Sequence, residues 1–304
     1  MNRRSFLYNT GIASIAFSSG KWNYDRFLEP DLQKITILHT NDVHSRIDPF
    51  PNDGSRNSGL GGVSKRAALI EQIRKEEAHV LLLDAGDIFQ GTPYFNFFGG
   101  EIEMKAMSAL KYDAATIGNH DFDNGIDGLK ESLKFSNFPL VTSNYDFSNT
   151  IMHDSYKPYI IRQVGDIEVG VFGLGIELNG LVPKALSKET RYLDPLSSSD
   201  KVAATLKNEH KCDYIICLSH LGYRYRDNTV SDVVLAEHSK DINLIIGGHT
   251  HTFLKEADIR KNRDGKEVIV NQAGWAGIML GRVDIFFERN KKGRCVTCQN
   301  TYVN

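Results

Sequence analysis

Five short polar segments, each at the end of an apolar run, constrain the fold of this chain more than any other feature. They are Asp42-Val43-His44, Gly86-Asp87, Gly118-Asn119-His120-Asp121, Ser219-His220 and Gly248-His249-Thr250-His251. The runs before them are typical of β-strands and cover Ile35–Thr40, Val80–Asp84, Asp113–Ile117, Tyr214–Leu218 and Leu244–Ile246. Because the strand ends of an open α/β sheet meet at one crevice, residues far apart in sequence can converge there.

These segments supply side chains suited to divalent metal ions. The candidate ligands are Asp42, His44, Asp87, Asn119, His220, His249 and His251. Neutral imidazole and carboxylate suit borderline divalent ions, and one aspartate can bridge two of them. Alternation along a strand points Asp42 and His44 to the same side, and Gly86 allows a tight turn that brings Asp87 towards both ions. The pattern predicts a two-metal hydrolase site.

His120 follows a candidate ligand directly and cannot easily reach the same metal ion. We therefore expect His120 to face the substrate, with the Asp123 carboxylate holding its second ring nitrogen. The alternative is that this pair caps the following helix, but the flanking ligands favour a catalytic dyad.

The sequence has no Gly-Lys-Ser/Thr phosphate loop, no His-Glu-x-x-His and no Gly-x-Ser-x-Gly.

Residues 1–20 are expected to be an export signal and not part of the fold. Arg3 and Arg4 precede a short apolar stretch, Gly11–Phe17, and then small residues, which is typical of the twin-arginine route. The stretch is too short for a membrane anchor, and we expect a periplasmic protein. A frayed cytoplasmic N-terminus is the alternative.

The formal charge of −2 gives no indication of nucleic acid as a partner.

Residues 34–288 alternate between strand and helix patterns and are expected to form one catalytic domain. Helical spacing covers Gly62–Ala78, Glu101–Leu110, Gly125–Phe135, Asp200–Glu209 and Thr229–His238. After His251 only strands follow, which predicts a second, more antiparallel sheet. We predict an α/β fold, a two-sheet β-sandwich flanked by helices. Residues 289–304 are expected to be a polar C-terminal tail, in which Cys295 and Cys298 could pair in an oxidising compartment.

The ordered segments resemble the calcineurin-like metallophosphoesterases. Longer stretches resemble the catalytic domain of the periplasmic 5′-nucleotidase family over about residues 34–288. These stretches are Leu38–His44, Asp84–Pro93, Gly118–Gly125, Gln272–Gly274 and Leu280–Arg282.

The resemblance implies a distribution of the ligands over two metal ions. One ion would be held by Asp42, His44, Asp87 and His251. The other would be held by Asp87, Asn119, His220 and His249, with Asp87 bridging. His120 would lie beside the phosphate with Asp123 behind it, and Asp121 stands where many relatives have Glu. Zn, Mn, Fe and Co all suit these ligands.

The expected activity is hydrolysis of nucleotide 5′-phosphomonoesters through a dinuclear-metal hydroxide. A 2′,3′-cyclic phosphodiesterase and a nucleotide-sugar pyrophosphatase are alternatives, because such a site recognises the phosphoryl group and not the leaving group. The family typically has a second, C-terminal domain that binds the nucleoside, and this sequence stops at Asn304. Either a separately encoded nucleoside-binding protein docks on this chain, or the substrate is recognised mainly by its phosphate. A metal-binding subunit of such a complex is the non-enzymatic alternative.

Overall fold

The computed structural model describes residues 32–288 and 294–304, except for the side chains of Arg294 and Cys295. The expected export signal lies outside the described residues. Within them, no helix combines the length and the apolar character that crossing a bilayer requires.

Two packed sheets form the centre of the domain. The strands are β1 (Leu32–Thr40), β2 (Val80–Asp84), β3 (Ala114–Ala115), β4 (Tyr145–Asp146), β5 (Tyr159–Val164), β6 (Ile167–Gly175), β7 (Arg191–Tyr192), β8 (Tyr214–His220), β9 (Leu244–Gly247), β10 (Asp258–Lys261), β11 (Glu267–Asn271), β12 (Met279–Glu288) and β13 (Arg294–Tyr302). The first sheet has the order β13-β12-β1-β2-β3, and the second has the order β10-β11-β9-β8-β6-β5.

Helices cover the outer faces of both sheets. They are α1 (Val63–Glu76), α2 (Pro93–Phe98), α3 (Glu101–Ala109), α4 (Gly125–Ser132), α5 (Lys184–Ser187), α6 (Pro195–Asn208) and α7 (Asp232–His238). Leu82 of β2 packs with Ile70 of α1 and Met104 of α3, while Cys217 of β8 packs with Leu206 of α6. The predicted two-sheet sandwich flanked by helices is confirmed.

The space between the sheets is filled by branched aliphatic side chains. Ile37 of β1, Val171 of β6 and Ile216 of β8 are fully buried in one cluster. Burying each such side chain stabilises the fold by about 1.5–3 kcal/mol. The parallel strands carry continuous apolar runs because both of their faces are covered.

The second sheet differs from the expectation of a more antiparallel arrangement. Its central strands β6, β8, β9 and β11 are parallel, and only the edge pairs β10–β11 and β5–β6 are antiparallel. The long strand β12 returns to the first sheet beside β1, because Val283, Ile285 and Phe287 are buried in the core between the sheets. The prediction that the strands after His251 make the second sheet more antiparallel was wrong.

Two segments contain more structure than their sequence indicated. Residues 294–302, which lie within the predicted polar tail 289–304, form edge strand β13 against β12. The long segment Gly175–Leu196 contains α5 and β7, and β7 pairs with β4. β13 pairs with the strand directly before it, β12, whereas β7 pairs with a strand distant in sequence, which a local pattern does not reveal.

His39 forms a buried polar link between the sheets. The β1 side chain is fully buried, and its Nε2 lies 2.9 Å from Asn271 Nδ2 on β11. Asn271 Nδ2 in turn lies 2.9 Å from Asn300 Oδ1 on β13. Burial lowers the pKa of His39 from 6.5 to about 3, so the ring stays neutral in the folded protein.

We expect this buried ring to make the fold sensitive to acid. Below pH 6.5 the unfolded chain binds a proton at His39 that the native state rejects, so this contribution to stability is lost as the pH falls from 6.5 towards 3. The loss is about 1.4 kcal/mol between pH 7.5 and 5.5. Urea unfolding with chelator present, at both pH values, should show a loss of stability that is about 1.4 kcal/mol smaller in His39→Gln than in the wild type, because other buried histidines such as His249 contribute equally in both proteins. Equal losses in both proteins would rule out this origin.

Candidate metal centre

The candidate ligands lie at strand ends from both sheets. Asp42 follows β1, Asp87 follows β2, His220 is the last residue of β8, and His249 follows β9. All five polar segments identified in the sequence therefore come together at the carboxyl ends of parallel strands. The ligand side chains are mainly buried, and that of His251 is the most exposed at 40%.

Several candidate ligands have left-handed backbone conformations. The φ angles are 50° at Asp42, 49° at His44, 55° at Asp87, 68° at His249 and 53° at His251. Such angles cost an L-residue roughly 1–2 kcal/mol each and persist only where the surroundings enforce them. Backbone hydrogen bonds do so: the Asp42 N–H donates to Gly86 O at 2.9 Å and the His44 N–H donates to Asp87 O at 3.1 Å.

Asp42, His44 and His251 form the first ligand group, with their ligand atoms within 4.8 Å of one another. His44 Nδ1 lies 3.1 Å from the Phe89 carbonyl oxygen, which favours the tautomer with its lone pair on Nε2. That Nε2 lies 3.0 Å from His251 Nε2. Two nitrogen ligands on one zinc-sized ion, with bonds of about 2.0–2.1 Å, have a comparable separation. The donor set and its spacing fit a divalent cation.

Asp87, His220 and His249 form the second ligand group within the same distance limit. His220 Nδ1 lies 2.7 Å from the Ala85 carbonyl oxygen, and its Nε2 lies 3.1 Å from Asp87 Oδ2. That Nε2 is buried without a partner of hydrogen-bond geometry. His249 Nδ1 lies 2.9 Å from Asn119 Oδ1, which brings the candidate amide ligand into this group.

The Asp87 carboxylate lies between the two groups. Its Oδ2 is 3.1 Å from His220 Nε2 and 3.8 Å from His44 Nε2, one residue of each group. Its Oδ1 accepts the His120 backbone N–H at 2.8 Å. This is the position that a bridging carboxylate requires.

The electrostatics of the two groups suit a bound cation. Burial opposes charge on both Asp87 and His220, but their mutual attraction outweighs it, lowering the pKa of Asp87 and raising the pKa of His220 to about 10. Burial and the neighbouring His220 lower the pKa of His249 to about 4. A divalent cation can replace the proton between such groups, because metal ligands bind in their deprotonated forms.

Asp121 supports the centre from behind, a role that the sequence did not reveal. Its buried carboxylate accepts the backbone N–H groups of Asp87, Ile88, Phe89 and Gly118 at 2.8–3.2 Å. These bonds fix the turn that carries Asp87. Gln272 acts similarly on the His249–His251 loop, where its Nε2 donates to Gly248 O at 2.6 Å. The positions of strand ends in the sequence do not indicate the hydrogen bonds of Asp121 or those of Gln272.

His120 and Asp123 form the expected pair at the edge of the centre. His120 Nδ1 lies 2.8 Å from Asp123 Oδ2, and the His120 ring is edge-on to His44 at 5.2 Å. Burial opposes protonation of His120, but Asp123 and Asp87 overcome it and raise its pKa. Helix α4 has Asn124 as its N-cap residue, without a side-chain capping bond. The geometry therefore favours the pair over the capping alternative.

A cavity of about 220 Å³ opens beside His120 and the first ligand group. Its wall includes His44, Arg46, Gln90, His120, His251 and Trp275. The Trp275 ring stacks on His251 with centroids 5.7 Å apart and an interplanar angle of 7°. The loop Asp48–Gly62 supports this cavity through Phe50, which packs against Trp275. Residues of Gly175–Leu196 line a different cavity.

Fold and site together are typical of a metal-dependent phosphoesterase. The family model described as calcineurin-like phosphoesterase matches residues 35–253, and the chain belongs to this family. The match spans the candidate ligands from Asp42 to His251.

Similar proteins include several 5′-nucleotidases. The bovine (Bos taurus) 5′-nucleotidase is 36% identical over 87% of this chain and 48% of its own length, and a Gloydius brevicauda snake venom 5′-nucleotidase is 35% identical over 84% and 45%. The crystal structure of a 5′-nucleotidase precursor from Thermus thermophilus has a TM-score of 0.81 and 31% identity, covering 89% of this chain and 54% of that one. The chain therefore spans about half the length of these relatives.

Proposed function

We propose that this protein hydrolyses nucleotide 5′-phosphomonoesters. The observation that carries the proposal is the Asp87 carboxylate between two ligand groups, directly beside the His120–Asp123 pair. Relatives of similar sequence that bear the name 5′-nucleotidase support the choice of substrate class.

In the proposed site, each ligand group holds one divalent ion. Asp42, His44 and His251 would hold the first ion, His220, His249 and Asn119 the second, and Asp87 would contact both. Two such ions lower the pKa of a water molecule and stabilise negative charge on phosphoryl oxygens. Buried carboxylates keep the ligand set anionic, so the centre attracts cations first and the phosphate afterwards.

His120 is proposed to act on the substrate. Its Nδ1 is held by Asp123, so its Nε2 is available to stabilise charge on the phosphoryl group or to protonate the leaving oxygen. The side chain is 39% exposed and lines the cavity, which gives a substrate access to it.

The test is phosphate release from 5′-AMP by the purified chain with Mn²⁺ or Zn²⁺. Bis-p-nitrophenyl phosphate and 2′,3′-cyclic AMP serve as competing substrates. We expect AMP hydrolysis that chelator abolishes and added metal restores. Preference for the cyclic diester would favour the phosphodiesterase alternative, and a metal-loaded chain that hydrolyses none of the three would refute the proposal.

Export to the periplasm and a separate nucleoside-binding protein remain part of the proposal. Export is supported by Arg3, Arg4 and the apolar stretch that follows them. The same assay addresses the partner: rapid AMP hydrolysis by this chain alone would make such a protein unnecessary. Hydrolysis limited to the activated diester would assign nucleotide specificity to residues outside this domain.

A further inference from the structure

A small cavity lies directly behind the candidate metal centre, on the side away from the substrate. Its wall includes Val43 and Ser45 from the turn after β1 and Ile88 from the turn after β2. These are the two turns that carry the ligands contributed by the first sheet. Two charged side chains from the covering helices, Arg66 of α1 and Glu103 of α3, complete the wall.

The polar atoms around this cavity have no hydrogen-bond partners among the residues that the structure describes. They are Ser45 Oγ, Arg66 Nε, Arg66 Nη1 and both carboxyl oxygens of Glu103. Arg66 is 2% exposed and Glu103 is 3% exposed, so bulk water does not solvate them. Buried polar groups in native proteins are bonded to protein or to ordered water, because leaving a charged group without a partner is costly. A bound molecule that bridges these groups would remove the cost.

The size and charge of the cavity restrict what it can bind. It measures about 10 Å³, which is the space that the centre of a single water molecule requires. Arg66 and Glu103 carry opposite charges, so their fields favour neither an anion nor a cation. The bound molecule must accept a hydrogen bond from a guanidinium and donate one to a carboxylate, and water does both.

Ser45 connects the cavity to both ligand turns. It directly follows His44, and its backbone N–H donates to Ile88 O at 2.9 Å, one residue after Asp87. Its φ angle of 53° is left-handed, so its conformation depends on the contacts around it. Its carbonyl oxygen accepts the Thr92 hydroxyl at 2.7 Å, and its own hydroxyl is left for the cavity.

The Ser45 hydroxyl lies beside the Glu103 carboxyl. Burial raises the pKa of Glu103, and the Ser45 hydroxyl opposes this shift from a position outside hydrogen-bond geometry. A single molecule between them can therefore contact both side chains.

We propose that one water molecule bound between Ser45, Arg66 and Glu103 is a fixed part of the metal centre, and that Arg66 and Glu103 are positioning residues that act through it. The Arg66 guanidinium donates to this water, which donates to the Glu103 carboxylate and holds the Ser45 hydroxyl. The proposal rests on the proposed metal centre. It concerns the bound water and metal affinity, so it can fail while the proposed hydrolysis stands.

A crystal structure of the metal-loaded protein, with crystals soaked in sodium bromide or rubidium chloride, tests the bound molecule. We expect one peak of density at about 2.5–3.2 Å from polar atoms of all three side chains. Neither soak should give anomalous signal in the cavity. A bromide or rubidium peak there, an empty cavity, or a direct Arg66–Glu103 salt bridge would overturn the proposal.

Mn²⁺ titration by calorimetry tests the positioning role. Glu103→Leu removes an acceptor for the water and should weaken Mn²⁺ binding by about 3- to 10-fold, less than the loss of a partner that contacts a ligand directly. Glu103→Gln keeps an oxygen acceptor and should restore most of the affinity. Glu71→Leu, at a side chain that is 69% exposed on α1, should bind Mn²⁺ like the wild type. Unchanged Mn²⁺ affinity in Glu103→Leu would exclude the positioning role.

A double variant separates positioning from a structural effect. Arg66→Met with Glu103→Leu removes both buried charges, a replacement that often leaves stability unchanged, whereas Glu103→Leu alone leaves Arg66 buried without a counter-charge. The double variant should therefore unfold at a urea concentration close to that of the wild type, while its Mn²⁺ affinity stays weakened. Recovery of Mn²⁺ affinity together with stability would show that the two residues only support the fold.

Discussion

Asp87→Asn should remove both metal ions from the centre and abolish hydrolysis. The Asp87 carboxylate lies 3.1 Å from His220 Nε2 and 3.8 Å from His44 Nε2, so its charge serves both ligand groups. Asparagine tolerates the left-handed backbone at this position, where φ is 55°, better than alanine does. Metal affinity should fall by more than about 100-fold, since loss of an outer partner alone costs about 10- to 100-fold.

Elemental analysis and phosphate release measure this effect together. Asp53→Asn, an exposed change in the Asp48–Gly62 loop, is the matched control and should retain two equivalents of metal and full activity. Thermal unfolding distinguishes loss of metal from loss of fold. Retention of two equivalents of metal by Asp87→Asn would contradict the bridging role.

His120→Ala should lower turnover by about 10²- to 10⁴-fold, the usual contribution of a general acid or base. The ring is held by Asp123 at 2.8 Å and belongs to neither ligand group. Metal content should therefore remain at the wild-type value, and the loss should appear in kcat at saturating substrate. Steady-state kinetics on 5′-AMP, with metal analysis of the same samples, give both readouts.

Asp123→Asn provides a graded comparison for this prediction. It keeps the shape of the side chain but removes the charge behind His120, so turnover should fall less than in His120→Ala. His153→Ala, at an exposed histidine outside the site, should leave turnover unchanged. Undiminished activity of His120→Ala would exclude the proposed dyad.

The sequence could group the candidate ligands because its information lies in strand ends. A polar residue after an apolar run must emerge at the edge of a sheet, and parallel strands place their carboxyl ends at the same edge. Asp42, Asp87 and His220 could therefore be grouped without knowledge of strand order. The i, i+2 spacing of His249 and His251 did not require tertiary information either.

Other features depend on pairings that no local pattern encodes. The alternating burial of β12 suits a place in either sheet, and only its pairing with β1 decides between them. Arg46 and Trp275 are far apart in sequence and meet through Phe50. Asp121 was visible in a motif, but its four backbone hydrogen bonds arise from the fold of the Asp87 turn.

The division of each ligand group between the two halves of the chain has a consequence for biosynthesis. The first group joins Asp42 and His44 to His251, and the second joins Asp87 to His220 and His249. When only the N-terminal half of the chain has emerged from the ribosome, the available ligands are the carboxylates of Asp42 and Asp87 and the imidazole of His44. Neither ligand group is then complete. Selective metal uptake must therefore follow synthesis of nearly the whole domain. In the proposed centre, bound metal would mark a chain that has been synthesised at least as far as His251.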